Sequence, residues 1–330
     1  MEEKKPFVKI DNISMWYPQK SKSLSQVIKR EKQWVKAVDN VSLELQKGEI
    51  LGVIGESGCG KSTLGRALAR LEHPTQGDVF IDDVSTQNLI KQDQRKFRRT
   101  VQIVFQNPFD TFTPRDTIEK ILMRPLKLHG IGKSEEERKQ KCIDILESGG
   151  LKPAEEIMKR YPHELSGGQL QRISILRSML FNPQFIIADE PVSMLDVSVR
   201  AEIINMLVTL SREKDATVVF ISHDIALTRY ISDKIAVMYL GKIIEYGDSE
   251  TIINRPQHPY TQALISNTPS IDLDEIRETI KVEGEPPTPV NPGPGCYFAP
   301  RCFKATKNCF KHYPETVELE SGHLVSCSEI

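Results

Sequence analysis

The sequence contains no long apolar run and no excess of charge of either sign. Its most apolar stretches, such as Ile186–Ala188 and Val218–Ile221, are far too short to cross a bilayer. Lys and Arg total 44 against 45 Asp and Glu, so the net charge of −1 produces no general attraction to nucleic acid or an anionic membrane. These absences exclude a membrane-spanning chain. The content of 39% apolar and 27% charged residues is typical of a globular protein with a substantial core.

The amino terminus, residues 1–7, is charged and lacks the apolar segment of a secretory signal. We therefore expect a cytosolic chain that meets a membrane only through partners. The six cysteines are unevenly spaced, and four of them lie in the carboxy-terminal tail. In a reducing compartment such a cluster favours metal binding over disulfide formation.

Apolar periodicity predicts strands that alternate with helices. Strand-like segments occupy residues 7–17, 41–45, 49–54, 184–189 and 217–221, and helical segments occupy residues 61–71, 199–214 and much of 107–182. Alternation of this kind predicts an α/β fold built on a mostly parallel sheet with helices on both faces.

Two segments do not belong to this pattern. Residues 18–36 are polar and basic and are interpreted as a solvated insertion, with a patch that contacts phosphate or membrane headgroups as the alternative. Residues 284–295 contain five prolines, which exclude regular structure and predict a stiff linker. The composition changes near Arg255, so we expect a boundary between two regions there.

A glycine-rich motif follows the predicted strand at 49–54. Residues 55–62 match G-x-x-x-x-G-K-[ST], which requires a strand before the loop and a helix after it. The loop amides and the helix amino terminus can bind phosphate, Lys61 can reach the β- and γ-phosphates, and Ser62 can ligate Mg²⁺. Cys59 occupies a free position of the motif and is interpreted as a bystander thiol. The candidate nucleotide contacts of this segment are Gly55, Ser57, Gly58, Cys59, Gly60, Lys61, Ser62 and Thr63.

Two carboxylates end the apolar strand predicted at 184–189. Asp189 can hold the hydration shell of Mg²⁺, whereas Glu190 can polarise a water molecule for in-line attack on the γ-phosphate. An Asp-Glu pair is weak evidence by itself. Downstream of a phosphate-binding loop, it predicts nucleotide hydrolysis.

The pentapeptide Leu165–Gln169, Leu-Ser-Gly-Gly-Gln, is the most specific motif of the chain. Ser166 and the two glycines open a helix that is predicted to run to Leu180, and its amino terminus offers a second anion site. Helix starts at Gly60 and Gly167 cannot both cap one triphosphate within a compact protomer. A second subunit is therefore expected to close the site.

With these motifs in this order, the sequence resembles the ATP-binding subunits of ABC transporters over nearly its whole length. The resemblance implies a P-loop NTPase fold with a RecA-like core and antiparallel β and helical subdomains. It implies a head-to-tail dimer in which ATP lies between Lys61 of one subunit and Ser166 of the other. It assigns Gln106 to sensing Mg²⁺ and the attacking water, His223 to the γ-phosphate switch and Tyr17 to stacking on adenine. The other ATP contacts that it implies are Gly168, Gln169 and Asp196.

The resemblance narrows to the ATPases of oligopeptide, dipeptide and nickel importers, in particular to the second ATPase subunit of such systems. It rests on stretches such as Tyr161–Gln169, Ala188–Ser193 and His258–Leu264, together with the cysteine-rich tail. It implies an ATPase domain over residues 1–255, with a helical subdomain at about 107–182. The oligopeptide-transporter-type region that follows occupies residues 256–330.

The expected partners are a second ATPase subunit, identical or different, two membrane permease subunits and an extracytoplasmic solute-binding protein. The chain is expected at the cytoplasmic face of the cell membrane as a peripheral subunit that powers di- or oligopeptide import, with nickel or sugars as alternative cargo. A soluble ABC ATPase acting on DNA or ribosomes is a further alternative. It is disfavoured because no long coiled coil separates the motifs and only one set is present, so we expect no nucleic-acid partner.

The tail cysteines lack the C-x₂-C spacing of structural zinc sites. They are Cys296, Cys302, Cys309 and Cys327. Four thiolates can bind Zn²⁺ or a [4Fe–4S] cluster. The importer resemblance favours the cluster, with zinc, or unligated or oxidised thiols, as the alternatives. We expect it to crosslink a segment with little core of its own, a redox or iron sensor being the rival hypothesis. His312 and His323 are interpreted as surface residues and Cys142 as a core residue.

Overall fold

A computed structural model shows the chain folded into two compact units. The split unit combines Met1–Ser85 with Phe220–Ile330, and the continuous unit is Thr86–Val219. Most of the basic insertion predicted at 18–36 lies outside the described residues. The stretches that the structure describes are residues 5–19, 33–268, 279–320 and 322–330.

The described residues form twelve strands and eleven α-helices. The strands are β1 Val8–Pro18, β2 Trp34–Leu45, β3 Ile50–Ile54, β4 Gln76–Ile81, β5 Val84–Ser85, β6 Val101–Val104, β7 Phe185–Asp189, β8 Thr217–Ile221, β9 Lys234–Tyr239, β10 Lys242–Asp248, β11 Val317–Glu320 and β12 His323–Val325. The helices are α1 Lys61–Leu68, α2 Thr86–Gln92, α3 Gln94–Thr100, α4 Ile118–Leu128, α5 Glu135–Ser148, α6 Ala154–Lys159, α7 Gly167–Met179, α8 Val197–Glu213, α9 Ile225–Ile231, α10 Ser249–Asn254 and α11 Pro259–Ser266. No helix in these described stretches has both the length and the apolarity needed to cross a membrane.

The first sheet of the split unit is antiparallel, with strand order β2-β1-β4-β5. Val8 of β1 pairs with Leu45 of β2 and with Ile81 of β4, and buried and exposed residues alternate at the start of β1. Such alternation is typical of a strand with one face on a core. β2 begins at Trp34, well before the predicted start at Val41, because its ladder with β1 continues to the end of β1.

The second sheet of the split unit combines parallel and antiparallel pairs. β3 is parallel to β9, and β10, β12 and β11 follow β9 in antiparallel order. All residues of β3 are buried, as in a central strand covered on both faces. The predicted parallel pairing is present at β3, and the antiparallel strands that follow β9 are the part that apolar periodicity did not indicate. The two-residue turn Leu240–Gly241, with positive φ at both residues, returns the chain directly beside β9.

The continuous unit contains a parallel strand pair and most of the helices. β6 lies parallel to β7, with Val101 opposite Phe185. The region 107–182, predicted to be mostly helical, contains α4 to α7, with one 3-10 turn before α4 at Pro108–Thr111 and one between α6 and α7 at Pro162–Glu164. Cys142 of α5 is fully buried, which confirms its predicted place in the core. Helix α7 ends at Met179, one residue before the predicted end.

Helix α1 is shorter than predicted. It ends at Leu68 rather than Leu71, because Arg70 adopts a positive φ of 51° that an α-helix cannot contain. The Arg70 guanidinium forms an ion pair with Asp78 of β4, which holds the chain in this turn. A tertiary contact therefore ends a helix whose apolar pattern continues.

The proline-rich segment 284–295 forms no helix or strand, as predicted, but it is not a free linker. Val290 makes an isolated bridge with Val35 of β2, and the Asn291 N–H donates a hydrogen bond of 2.9 Å to the Trp34 carbonyl. The segment therefore lies along β2 within the split unit.

The carboxy-terminal region shares its core with the rest of the split unit. The rings of Tyr239 in β9, Tyr260 in α11 and Phe298 form a cluster in which neighbouring centroids are 4.7, 5.2 and 5.3 Å apart. All three residues are buried. Aromatic packing of this kind contributes both buried area and a preferred geometry.

One predicted surface histidine is buried. His323 of β12 is 5% exposed, and its Nε2 lies 2.9 Å from a carboxylate oxygen of Glu245, which is itself buried. The prediction that His323 lies at the surface is therefore wrong, because its side chain is buried and hydrogen-bonds to the buried Glu245 carboxylate. His312 is exposed, as predicted.

Candidate nucleotide site

The glycine-rich loop follows β3 and leads into α1, which is the context that the motif requires. Gly55 and Gly60 have φ values of 151° and 107°. A Cβ at Gly60 would lie 2.0 Å from the Ala37 carbonyl oxygen, and one at Gly55 would lie 2.2 Å from that of Met238. Glycine is therefore required at both ends of the loop, because the backbone passes directly against two other segments.

The Lys61 side chain bends back over the loop. The residue is 5% exposed, and its ammonium donates hydrogen bonds to the carbonyl oxygens of Gly55 at 2.7 Å and Glu56 at 3.0 Å. Gly60, the residue before α1, has no side chain with which to cap the helix. The amides at the start of α1 thus lie next to an ammonium group, an arrangement suited to binding phosphate.

The other residues of the loop differ in exposure. Ser57 and Gly58 are exposed, whereas Ser62 and Thr63 are half-buried in the first turn of α1. Cys59 is buried, and this burial raises the pKa of its thiol. A buried thiol with a raised pKa is a poor nucleophile, which supports its interpretation as a bystander.

Tyr17 lies near the end of β1 and is 36% exposed. Its hydroxyl donates a hydrogen bond to the Glu72 carboxylate. Burial first, and then this hydrogen bond, raise the pKa of Tyr17 to about 12, so the phenol is neutral at physiological pH. The neighbouring Trp16 is half-buried, and the Lys36 ammonium lies 4.8 Å from its ring centroid.

Gln106, Glu190 and Ser193 form a polar group in the continuous unit. The strand β7 ends at Asp189, which is 5% exposed, and Glu190 follows with a positive φ of 46°. The Gln106 side-chain amide donates to Glu190 Oε2 at 3.0 Å and to Ser193 Oγ at 3.1 Å. The Ser193 hydroxyl also donates to the Glu190 carbonyl at 3.1 Å. A non-glycine residue in this strained conformation is held by its surroundings, and such residues concentrate at functional sites.

Ser193 is the member of this group to which the sequence assigned no role. The sequence could have indicated part of its role, since a serine three residues after a strand-end acid can close a turn through its hydroxyl. The contact with Gln106 joins residues far apart in the chain and carries no such signal. The structure therefore brings together two predicted residues and adds a third.

The Leu-Ser-Gly-Gly-Gln motif begins helix α7 with a capping box. The Ser166 hydroxyl accepts a hydrogen bond from the Gln169 N–H at 3.2 Å, and the Gln169 side-chain oxygen accepts from the Ser166 N–H at 3.1 Å. A Cβ at Gly168 would lie 2.8 Å from Cγ1 of Val199 in α8, so the glycine permits close packing of α7 against α8. The motif thus has a structural role within the continuous unit.

Asp196 and His223 are both exposed and belong to different units. Asp196 immediately precedes α8 and makes no capping hydrogen bond through its side chain. His223 lies between β8 and α9, where the Ser222 N–H donates to the Val53 carbonyl at 3.1 Å and Asp224 caps α9. The end of a strand and the start of a helix therefore hold the segment that carries His223.

The predicted ATP-site residues divide between the two units. The split unit contains Tyr17, the loop residues 55–63 and His223, and the continuous unit contains the other members. Those members are Gln106, Ser166, Gly168, Gln169, Asp189, Glu190 and Asp196.

Comparison with known proteins identifies the family. The ABC transporter profile matches residues 38–193, and that of the oligopeptide/dipeptide transporter C-terminal region matches residues 244–309. The dipeptide transport ATP-binding protein DppF of Haemophilus influenzae is 42% identical over 330 residues, which are 100% of this chain and 98% of that protein. The putative oligopeptide transport ATP-binding protein YkfD of Bacillus subtilis is 45% identical over 90% of each chain. The chain belongs to the ABC transporter family.

As a member of this family the chain is an ATPase subunit, and membership implies an ATPase dimer and membrane permease partners. Among solved structures, the ATP-binding cassette MJ0796, a dimer with ADP and Pi bound, is 30% identical, with a TM-score of 0.62. That match covers 73% of this chain and 98% of the cassette. The predicted P-loop NTPase fold is thereby confirmed, with parallel and antiparallel strands as found here.

The tail cysteines of this ABC subunit influence one another's ionisation. Burial chiefly, together with negative charge on Cys309 and Cys327, raises the pKa of Cys296 to about 11. The pKa values of Cys302 and Cys327 are also raised, chiefly by burial. Burial would raise the pKa of Cys309 as well, but hydrogen bonds, above all from Thr306, lower it.

Backbone N–H groups also donate hydrogen bonds to sulfur in the tail. The Lys304 N–H donates to Cys302 Sγ and the Glu329 N–H donates to Cys327 Sγ, each at 3.4 Å. Such bonds favour thiolate ligands. Across the part of the chain that the structure describes, however, no group of three or more His, Cys, Asp or Glu side chains is arranged to hold a metal ion.

Proposed function

We propose that this ABC subunit binds and hydrolyses ATP to energise the import of dipeptides or oligopeptides. The similarity to DppF and YkfD, which are named for dipeptide and oligopeptide transport, supports this cargo. The match to the oligopeptide/dipeptide transporter C-terminal region supports it independently of the ATPase motifs. Nickel or sugar import, and a soluble function on DNA or ribosomes, are the alternatives.

We propose that the loop at residues 55–63 binds the phosphates. We assign its amides and the start of α1 to the phosphate oxygens. Lys61 is assigned to the β- and γ-phosphates, where its ammonium would exchange hydrogen bonds to two neutral carbonyl oxygens for ion pairs with phosphate oxygens. Ser62, Asp189 and Gln106 would hold Mg²⁺, which neutralises charge on the phosphates. Tyr17 would stack on adenine.

The Glu190 carboxylate, held by Gln106, is the observation that carries the hydrolytic part of the proposal. In the reaction, a water oxygen attacks the γ-phosphorus, the bond to the ADP oxygen breaks, and the water proton passes to Glu190 as general base. Gln106 would orient this water, and His223 would contact the γ-phosphate. Positioning and electrostatics account for most of the catalysis in reactions of this class.

A second ATPase subunit, identical or different, would complete the site. Ser166, Gly168, Gln169 and Asp196 would act on the nucleotide bound by the partner, which a head-to-tail dimer requires. We further propose two permease subunits, an extracytoplasmic solute-binding protein and a peripheral position at the cytoplasmic face of the membrane. The structural support is the exposure of Ser166 and Asp196.

The tail thiols are proposed to bind a [4Fe–4S] cluster, with zinc as the alternative. The support is the donor set of four thiols and the N–H···S hydrogen bonds, whereas the thiols are not gathered as a finished metal site in the described residues. A bound cluster would supply a crosslink within the tail. Protein purified without oxygen is expected to contain iron and acid-labile sulfide, and one equivalent of zinc without iron would contradict the cluster.

The hydrolytic role is tested by Glu190→Gln, which removes the base but retains the amide contact with Gln106. We expect nucleotide affinity to stay within about twofold, while phosphate release falls by on the order of a thousandfold. Light scattering is expected to show an accumulated ATP-bound dimer.

The matched control is Glu155→Gln in α6, an exposed acid of the same unit, which should hydrolyse ATP at the wild-type rate. Normal hydrolysis by Glu190→Gln would contradict the assignment of the base. The cargo is tested by reconstituting the whole complex with a panel of peptides, sugars and Ni²⁺; uptake of Ni²⁺ or sugars alone would contradict the peptide proposal.

A further inference from the structure

Glu56, a free position of the phosphate-loop motif, has all of its polar groups engaged. Its N–H donates to the Tyr260 hydroxyl at 2.8 Å, and its carbonyl oxygen accepts from the Lys61 ammonium at 3.0 Å. Its carboxylate accepts two hydrogen bonds from Arg301, at 2.8 and 3.1 Å. The residue thus links the lysine that reaches for phosphate to the carboxy-terminal region.

Arg301 lies immediately before Cys302 in the tail, and its side chain is 8% exposed. Besides Glu56, its guanidinium donates to the Tyr239 hydroxyl at 3.3 Å and to the carbonyl oxygens of Glu283 at 3.3 Å and Gly284 at 2.8 Å. All five N–H groups of the guanidinium therefore have an acceptor. The hydrogen bonds to Glu56, before all other causes, raise the pKa of Arg301 above its ordinary value.

Other side-chain contacts also attach the tail. Arg255 and Glu320 join α10 to β11 through an exposed ion pair, and His323 joins β12 to the buried Glu245. A partly buried ion pair gains little net stability, because desolvation offsets much of its Coulomb energy. Its planar, bidentate geometry instead fixes the orientation of the partner carboxylate.

We infer that Arg301 is a positioning residue for the phosphate loop, through which the cysteine-rich tail sets nucleotide affinity. Arg301 fixes the Glu56 carboxylate and thereby the position of residue Glu56. The Glu56 carbonyl oxygen accepts a hydrogen bond from the Lys61 ammonium, and this is one of the contacts that Lys61 would give up on binding a phosphate. The inference rests on the proposed phosphate-binding role of residues 55–63. It adds a contribution to that site from a residue 245 positions away in the same chain.

The test is equilibrium binding of fluorescent ATP and ADP analogues to the full-length chain. Arg301→Met is expected to raise the dissociation constants of both analogues by on the order of tenfold, the loss expected for charge-assisted hydrogen bonds. The loss should appear for both analogues, because the loop and Lys61 are assigned to the β-phosphate, which ATP and ADP both carry. The number of binding sites per chain should not change.

Arg301→Lys separates geometry from charge. Lysine keeps the positive charge but cannot donate two parallel hydrogen bonds to one carboxylate, so we expect at least half of the tenfold loss, on a logarithmic scale, to persist. Glu56→Gln is expected to weaken binding as Arg301→Met does. The double variant Arg301→Met/Glu56→Gln should bind nucleotide no more weakly than either single variant, because both substitutions remove the same interaction.

Arg255→Met is the matched control, since it breaks another arginine–glutamate pair of the same tail and should leave nucleotide affinity unchanged. Three results would each overturn the inference. They are wild-type affinity in Arg301→Met, additive losses of affinity in the double variant, and fewer binding sites per chain with an unchanged dissociation constant. If Arg301→Met does not fold, Glu56→Gln and Arg301→Lys carry the same comparison. Lys61→Ala separates a failure of this inference from a failure of the proposed function, because wild-type nucleotide binding by this variant would refute the proposed phosphate site itself.

Discussion

Helices α1 and α7 both begin within glycine-containing motifs, yet their amino termini differ. α1 follows Gly60, which has a left-handed φ of 107° and no side chain to cap the helix. α7 follows Ser166, whose hydroxyl accepts from the Gln169 N–H while the Gln169 side chain accepts from the Ser166 N–H. One helix start is therefore open, and the other is closed by its own side chains.

The difference separates two ways of preparing a helix start for an anion. An uncapped start has no side chain at the capping position to accept from its first amides, so α1 should be stabilised further by a bound nucleotide. A capped start is stable without a ligand, so α7 should be preformed and present an exposed Ser166 to a partner's nucleotide. The phosphate loop is thus expected to respond to ATP, whereas the Leu-Ser-Gly-Gly-Gln motif is expected to dock as a rigid element.

The largest expected effect comes from adding a side chain at the open start. Gly60→Ala would place a Cβ 2.0 Å from the Ala37 carbonyl oxygen at a positive φ, so we expect the free energy of unfolding to fall by about 3 kcal/mol and ATP binding to be lost. Urea denaturation and nucleotide binding measure the two effects.

Gly58→Ala is the control for that substitution. Gly58 also has a positive φ, of 78°, but a Cβ there would meet nothing within 4 Å. We expect a loss of only about 1 kcal/mol from backbone strain. Equal losses for the two variants would show that the contact with Ala37 is not what requires glycine at Gly60.

A smaller effect is expected at the capped start. Ser166→Ala removes the hydroxyl that accepts from the Gln169 N–H, so the free energy of unfolding should fall by about 1 kcal/mol. Because Ser166 is proposed to contact the partner's nucleotide, ATP turnover by the dimer should fall as well. Thermal unfolding and phosphate release measure the two quantities.

Ser134→Ala is the matched control, since the Ser134 hydroxyl caps α5 by accepting from the Glu137 N–H at 3.1 Å. It should cost similar stability and leave turnover unchanged. If both serine variants lose turnover equally, the effect of Ser166 reflects stability alone, and its proposed role in the partner's site is wrong.

The smallest effect distinguishes the two glycines of α7. A Cβ at Gly167 would meet only Leu195 Cδ2, at 3.5 Å, so Gly167→Ala should stabilise the helix by up to about 1 kcal/mol. Gly168→Ala should gain nothing, because its Cβ would press on Val199 at 2.8 Å. Thermal unfolding of the two variants measures the difference; a larger gain for Gly168→Ala would contradict close packing of α7 on α8.

Sequence reasoning succeeded where one short segment contains the whole signal. The loop at residues 55–62, the acids at the end of β7 and the start of α7 are local patterns, and the structure places each in the predicted kind of element. It failed where a contact with a residue distant in the chain sets the end of a helix or the burial of a side chain. Arg70 ends α1 through Asp78, and Glu245 buries His323, although neither partner is indicated by the neighbouring sequence.

The amino-acid sequence alone determined the family, the phosphate loop and the candidate base, because spacing within a few residues sets which backbone and side-chain groups can face a phosphate. Tertiary structure decided that Gln106 and Ser193 hold Glu190 and that Arg301 holds Glu56. Contacts between distant segments depend on how strands and helices pack, and a linear pattern of residue types does not specify which charged groups that packing brings within hydrogen-bonding distance.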